Sequence, residues 1–186
     1  MSGVGLVEIM VVMAIILIIS VIAMPNFLKT LRISKLNDGA TQVANIIKLT
    51  RFEAIRRNKT ISCIVSQSSS TSTQVWTDSN ASGTFTRTEN TTFITGSANL
   101  VASGSVPGTT NLAAAIGTNV VLTPVSLSGG TYTFDQRGAT SPAGVYVSYL
   151  TYAGQPTLGY RAVVVLPSGS MQTWSLDSNG NWTQLN

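Results

Sequence analysis

"GVGLVEIMVVMAIILIISVIAMPNF" (residues 3–27) is apolar over nearly its whole length, and the reading of its one acid, Glu8, decides the fold. Residues 4–24 form an apolar run interrupted only by Gly5, Glu8 and Ser20. Wound as a helix, that run extends about 30 Å, the thickness of a bilayer's hydrocarbon core. A secretory signal peptide needs a basic segment ahead of such a run and a small-x-small cleavage site behind it. Nothing basic precedes this run, and "VIAMPNF" (residues 21–27) offers no such site. A plain single-pass anchor accounts for the length but not for Glu8. A carboxylate in hydrocarbon costs roughly 2.5–3.5 kcal/mol and calls for a partner or a function.

Immediately beyond the run stands Pro25, which has no N–H to return to the carbonyl of Val21, so a kink is expected there. Helical periodicity then resumes. Leu36, Ala40, Val43, Ile47, Thr50 and Ala54 follow alternating spacings of four and three, which places them on one mostly apolar stripe. Asp38-Gly39 reads as a soft spot able to bend or fray this helix. Arg56, Arg57 and Lys59 close it with cations that suit the C-terminal end of the helix dipole, and Asn58 is a left-handed cap.

From Thr60 the period changes to two. "ISCIV" (residues 61–65) starts a β-rich body, and "SQSSSTSTQ" (residues 66–74) reads as a flexible loop or hairpin tip. Short strands are expected at Val75-Trp76, Phe85, Phe93-Ile94 and Leu100-Val101. Residues 96–118 are rich in Gly, Ser, Thr and Ala and carry no clear period. "NVVLTPV" and "TYTFDQRGAT" read as strand, connection and strand. "GVYVSYL", "YRAVVVL" and "MQTWSL" continue the sheet, and "DSNGNW" contains an Asn-Gly hairpin turn before a closing strand from Trp182 to Leu185.

The composition removes whole classes of function. Charged residues are 10% of the 186, and the net charge of +4 is local. Lys29, Arg32, Lys35, Lys48, Arg51, Arg56, Arg57 and Lys59 all precede residue 60. Beyond it stand only Arg87, Arg137 and Arg161, against Asp78, Glu89, Asp135 and Asp177. A basic body wrapped around nucleic acid is not what this distribution describes. The single cysteine, Cys63, rules out an intrachain disulfide. The absence of histidine excludes Ser-His-Asp and Cys-His catalysis and every His-ligated metal site. An enzyme is not expected, nor is a cofactor.

The order of glycine, glutamate, apolar run and proline resembles the type IV prepilins and type II secretion pseudopilins. In that family a glycine precedes the cleavage point, and a glutamate follows four residues later at the head of a long apolar helix. Aligned on Glu8, the resemblance puts prepilin peptidase cleavage between Gly3 and Val4, N-methylation on Val4, and the family's helix-kinking proline at Pro25. It also implies that Glu8 neutralises the Val4 amine of a neighbouring subunit, setting axial register during assembly. Each group alone would be costly to bury, and pairing offsets much of that cost. The departures are Val4 where the family prefers Phe, Gly5 where it often has Thr, and a leader, "MSG", without Lys or Arg. Basic residues found only after the span would place the body in the cytoplasm, whereas the family places it on the far side. The expectation that reconciles the two is a longer leader with basic residues upstream, which mapping the translation start tests.

Two further stretches resemble the GspH/FimT group of pseudopilins. "LTRFEAIRRNKTISCIV" (residues 49–65) matches a helix end of the form aRseAirrn through Arg51, Glu53, Ala54, Ile55, Arg56, Arg57 and Asn58. "YTFDQRGAT" (residues 132–140) takes the place of the phrase vtFdprGra before the last strands. Packing and capping account for most of the first stretch, with the arginines as possible contacts to a partner. Some FimT-like members bind DNA through a basic GRxR-like hairpin. Here that hairpin is "PSGSMQTW" (residues 167–174), with Ser170 and Gln172 at the arginine positions, so the main phosphate-neutralising term is missing. Asp177, Asn179 and Asn181 alternate as in a calcium loop, but the distal bidentate acid is lacking and a turn explains them.

The fold expected is α+β: a long N-terminal hydrophobic helix, pilin-like and kinked at Pro25, packed on a C-terminal antiparallel β-sheet body. Residues 1–3 are a leader remnant, 4–25 a transmembrane and filament-core helix, 26–59 an amphipathic stalk, and 60–186 a β-rich domain. The function expected is that of a minor pilin or pseudopilin, structural rather than catalytic. It inserts in the bacterial inner membrane with a periplasmic body, and its partners are other pilin or pseudopilin subunits, the prepilin peptidase and membrane lipid. The alternatives are a DNA-binding minor pilin, which salt-titrated DNA binding by residues 26–186 discriminates, and a major pilin.

Overall fold

The computed structural model describes residues 5–69, 72–95, 98–117, 120–177 and 179–185, so Gly3 and Val4 lie outside the described residues. One helix, α1 (Leu6–Arg57), runs 52 residues from the N-terminal end into the body. Its helical assignment continues through Pro25. The stripe read from the sequence is its buried face: Leu36, Ala40, Val43, Ile47, Thr50 and Ala54 are all fully buried, joined by Gly39 and Ile46. Thr50, the polar member, is satisfied by donating to the Ile46 carbonyl (2.9 Å) while its oxygen lies 2.8 Å from Thr77 Oγ1. The end is as the sequence implies. Asn58 adopts a left-handed conformation (φ 51°, ψ 43°), and the amide of Lys59 reaches back to the Ala54 carbonyl at 3.2 Å.

The reading of Asp38-Gly39 as a soft spot is overturned. Gly39 is buried inside an unbroken helix, and a Cβ built there would lie 2.6 Å from Cβ of Ala98. Its missing side chain lets a strand approach the helix, a packing role that helix propensity cannot reveal.

The body contains ten strands among the described residues: β1 (Ile61–Ser69), β2 (Ser72–Asp78), β3 (Thr91–Thr95), β4 (Ala98–Val101), β5 (Leu122–Pro124), β6 (Ser128–Phe134), β7 (Val145–Tyr152), β8 (Tyr160–Val165), β9 (Met171–Leu176) and β10 (Trp182–Gln184). They form a four-stranded sheet in the order β3-β2-β1-β6 and a six-stranded sheet in the order β10-β9-β8-β7-β4, with β5 beside β7. Pairing is antiparallel except between β5 and β7, which run parallel.

Both sheets contribute to a core against α1 containing Ile61, Cys63, Val65, Val75, Leu150, Val163 and Val165. The six-stranded sheet has a second core on its other face. There Val147, Tyr149, Ala162, Val164 and Trp174 meet Leu112 of a short helix, α2 (Thr109–Ile116). Burial on both faces explains why "YRAVVVL" is a continuous apolar run instead of an alternating one.

The local expectations in the body meet different outcomes. The stretch 66–74 is the hairpin end of the β1–β2 ladder, one of the two readings given to it: Ser66 pairs with Gln74 and Gln67 with Thr73, while residues 70–71 fall outside the described set. Serine and threonine can occupy strand positions when both partners are extended, so the flexible-loop alternative is the one set aside. Phe85 belongs to no strand; its ring packs edge-on between Trp76 and Phe93. The surrounding loop is held by acids, with Asp78 accepting the amides of Ser82 and Gly83, and Glu89 those of Ser79 and Thr86. Within residues 96–118 the strand expected at Leu100-Val101 is present as β4, whereas α2 was not anticipated. The helix α2 has glycine, without a side-chain cap, at its N-cap position, so the usual start signal was absent.

Candidate functional site: the outward half of the long helix

No side chain between Leu6 and Met24 is buried against the body. Leu6 is 75% exposed, Val21 75% and Ile22 67%, values that a soluble helix of this composition would not sustain. The apolar window in this helix has a mean hydropathy of 3.0 over 18 residues, none of them buried. A helix hydrophobic on all sides needs an apolar environment on all sides, either a bilayer or other helices. Length and hydropathy both fit a single membrane crossing.

Polar groups within this segment follow two patterns. Ser20 donates its hydroxyl to the Ile16 carbonyl at 2.8 Å, so it carries no unsatisfied group into an apolar environment. Glu8 is different. It is exposed in the first turn, beside a groove formed with Ile9, Val12 and Met13, and has no side-chain partner among the described residues. Pro25 lies at the end of the apolar run, inside the helix, where its ring removes one rung of backbone hydrogen bonding. Glu8 and Pro25 thus sit at opposite ends of one exposed apolar rod, while Gly3 and Val4 are beyond the described residues.

The arginines near the helix end divide between two jobs. Arg51 clamps the body: its Nε donates to the Gly138 carbonyl (2.9 Å) and its Nη2 to the Ser168 carbonyl (3.2 Å). It thereby joins three stretches singled out in the sequence, namely the helix end, the turn after "YTFD" and the "PSGS" hairpin. The approach is close, since a Cβ on Gly169 would lie 1.9 Å from the Gly138 carbonyl oxygen. Arg56 and Arg57 both pair with Glu53, each with a 2.7 Å contact to Oε2. Their proximity, the hydrogen bond from Arg56 first, holds the Glu53 carboxyl below its ordinary range. At the last hairpin, Asp177 Oδ1 accepts the amides of Asn179 (2.9 Å) and Asn181 (2.7 Å), the arrangement of a turn. No cluster of three or more metal-ligating side chains forms among the described residues.

No curated protein sequence matches the chain. Among solved structures the fold is similar to two crystal forms of the type IV minor pilin FimU from Pseudomonas aeruginosa (strain PAO1). The first has a TM-score of 0.51 at 15% identity, covering 81% of this chain and 93% of FimU. The second has a TM-score of 0.50 at 14% identity, covering 80% and 97%. The long apolar helix packed on antiparallel sheets is thus a pilin-like α+β fold. The model of the family described as type II transport protein GspH matches residues 39–169, more than half of the chain, and the chain belongs to that family.

Proposed function

We propose that the chain is a minor pilin or pseudopilin: a non-catalytic subunit stored in the bacterial inner membrane and assembled into a type IV pilus or a type II secretion pseudopilus. The observation that carries this reading is the apolar half of α1, exposed on every side and unsupported by its own body. Before assembly, lipid surrounds it and the β-body stands on the periplasmic side. After assembly, the same side chains pack against helices of neighbouring subunits. The FimU likeness and the GspH family match support placement as a minor subunit, at or near the filament tip, helping to prime assembly.

Three residues do the work at the N-terminal end. Prepilin peptidase cuts after Gly3 and the new amine of Val4 is methylated. Glu8, free of any partner among the described residues, neutralises the Val4 amine of the adjacent subunit and so fixes the step between subunits. Pro25 lets the helix bend where it leaves the apolar layer.

Mass spectrometry of the N-terminal peptide tests the processing directly. The chain recovered from membranes of cells containing the peptidase is expected to begin at Val4 and carry one added methyl group. An N-terminus that still includes Gly3, in cells where other subunits are processed, contradicts the proposal.

A further inference from the structure

Arg161, in β8, is only 5% exposed, yet no acid among the described residues pairs with it. Its Nε donates to Asn37 Oδ1 at 2.6 Å and its Nη1 to the Tyr160 carbonyl at 2.8 Å. A guanidinium has five N–H donors, and the other three find no acceptor among the described residues. Both ion pairs among the described residues belong to Glu53. Burial alone pushes the Arg161 guanidinium below its ordinary value. A buried cation without a counter-charge is costly, and here Arg161 lines a cavity of about 400 Å³.

That cavity lies between α1 and the end of the six-stranded sheet, lined among others by Lys29, Ile33, Pro107, Gly159 and Asp177. Among the described residues Asp177 is the only acid in the wall, set against the two cations Lys29 and Arg161, and two backbone amides already engage it. Gly159, at φ +92°, keeps the space beside the guanidinium open; even a Cβ there would come within 3.0 Å of the Leu176 carbonyl oxygen.

The position of the cavity along α1 indicates what reaches it. Lys29, Ile33 and Asn37 are spaced by four, so they share one helix face running from the cavity's outer lip to Arg161. Lys29 is five residues past Met24, about 7 Å along the axis, which is the depth of a headgroup layer beyond the hydrocarbon. We propose that this cavity binds a phosphate oxyanion, held by Lys29 at the mouth and Arg161 at the inner end, and that in the membrane-stored subunit this phosphate belongs to an anionic phospholipid headgroup. Arg161 offers the fork geometry suited to phosphate, and Lys29 a mobile point charge. The lipid half of this assignment rests on the membrane storage proposed above.

The test uses the full chain, reconstituted in bilayers of mixed phosphatidylglycerol and phosphatidylcholine and then extracted in mild detergent. Native mass spectrometry reads which lipid is retained, and calorimetric titration with inorganic phosphate reads the oxyanion alone. Phosphatidylglycerol is expected to be retained preferentially. Retention and phosphate affinity should fall roughly tenfold or more in Arg161→Gln, recover in part in Arg161→Lys, and stay unchanged in the remote Arg87→Gln. Lys29→Gln, an exposed substitution that leaves the fold alone, should lower both a few-fold and reads the site even if Arg161→Gln unfolds. Phosphate binding that depends on Arg161 without lipid preference assigns the cavity to a soluble phosphate ester and removes the lipid half. Equal retention of both lipids together with no phosphate binding, or binding indifferent to both Arg161→Gln and Lys29→Gln, overturns the proposal. Failure of the chain to float with vesicles counts against membrane storage instead, and the phosphate titration still reads the cavity.

Discussion

Residues 6–24 and residues 36–54 belong to one continuous helix, yet they solve opposite problems. The second segment is amphipathic and places eight residues, Leu36 to Ala54, into a core made by its own chain. The first is apolar on every side and buries nothing in its own chain. Secondary structure is therefore uninformative about function here; what distinguishes the halves is where the partner comes from. An amphipathic stripe states that the partner is already in the fold. An all-round apolar surface, with one acid that has no partner among the described residues, is what the proposed reading requires of a segment whose partner lies elsewhere.

The contrast can be broken by substitution. Ile47→Ala, in the stalk core, should cost about 2–5 kcal/mol in chemical unfolding of the body, as expected for truncating a fully buried branched side chain. Leu17→Ala, in the exposed half, should leave the same transition in place; equal losses at the two sites would erase the distinction. Gly39→Ala probes the close approach to Ala98, and the added methyl should destabilise by about 1–3 kcal/mol despite alanine's better helix propensity. A stabilised variant would restore Gly39 to the status of a soft spot. Arg51→Met, which removes the clamp on the turns at Gly138 and Ser168, should cost about 1–2 kcal/mol and raise amide exchange in both turns together.

The smallest effect belongs to Glu53. Its carboxyl is held low by Arg56 and Arg57, so its contribution is present above the unfolded carboxyl's pKa and is lost as pH falls through the lowered folded value. Glu53→Gln should therefore lower stability at neutral pH by under about 1 kcal/mol, since these pairs face solvent, and the gap from the unsubstituted chain should close in acid. Melting curves at the two pH values check the sign.

How much the sequence revealed follows the same division. The stripe from Leu36 to Ala54 and the left-handed Asn58 were legible because periodicity and capping are local rules, and every stripe position is buried as expected. Gly39 was misread because its role depends on Ala98, 59 residues away in the chain, which no local rule sees. Likewise "YRAVVVL" was recognisable as a strand, but the reason for its unbroken apolar run was α2, an uncapped eight-residue helix in a stretch without period. Serine-rich residues 66–74 were read as a flexible loop or a hairpin tip because composition does not show the ladder they form with each other, and the ladder selects the hairpin. At the site, the exposed rod, Glu8 and Pro25 were visible in the sequence, whereas the Arg51 clamp and the unpaired charge of Arg161 needed three dimensions. Both arginines are held by groups more than 80 positions away in the chain, Gly138 for the first and Asn37 for the second.

Glu8 offers the most direct measurement of the central claim. The full chain carrying Glu8→Ala, expressed with its companion subunits, is quantified in the membrane fraction and in the sheared filament fraction. Membrane insertion at the level of the unsubstituted chain, with loss of the chain from filaments, is the result predicted for a carboxylate that answers a neighbour's amine. Incorporation of Glu8→Ala into filaments at the unsubstituted level would contradict the account.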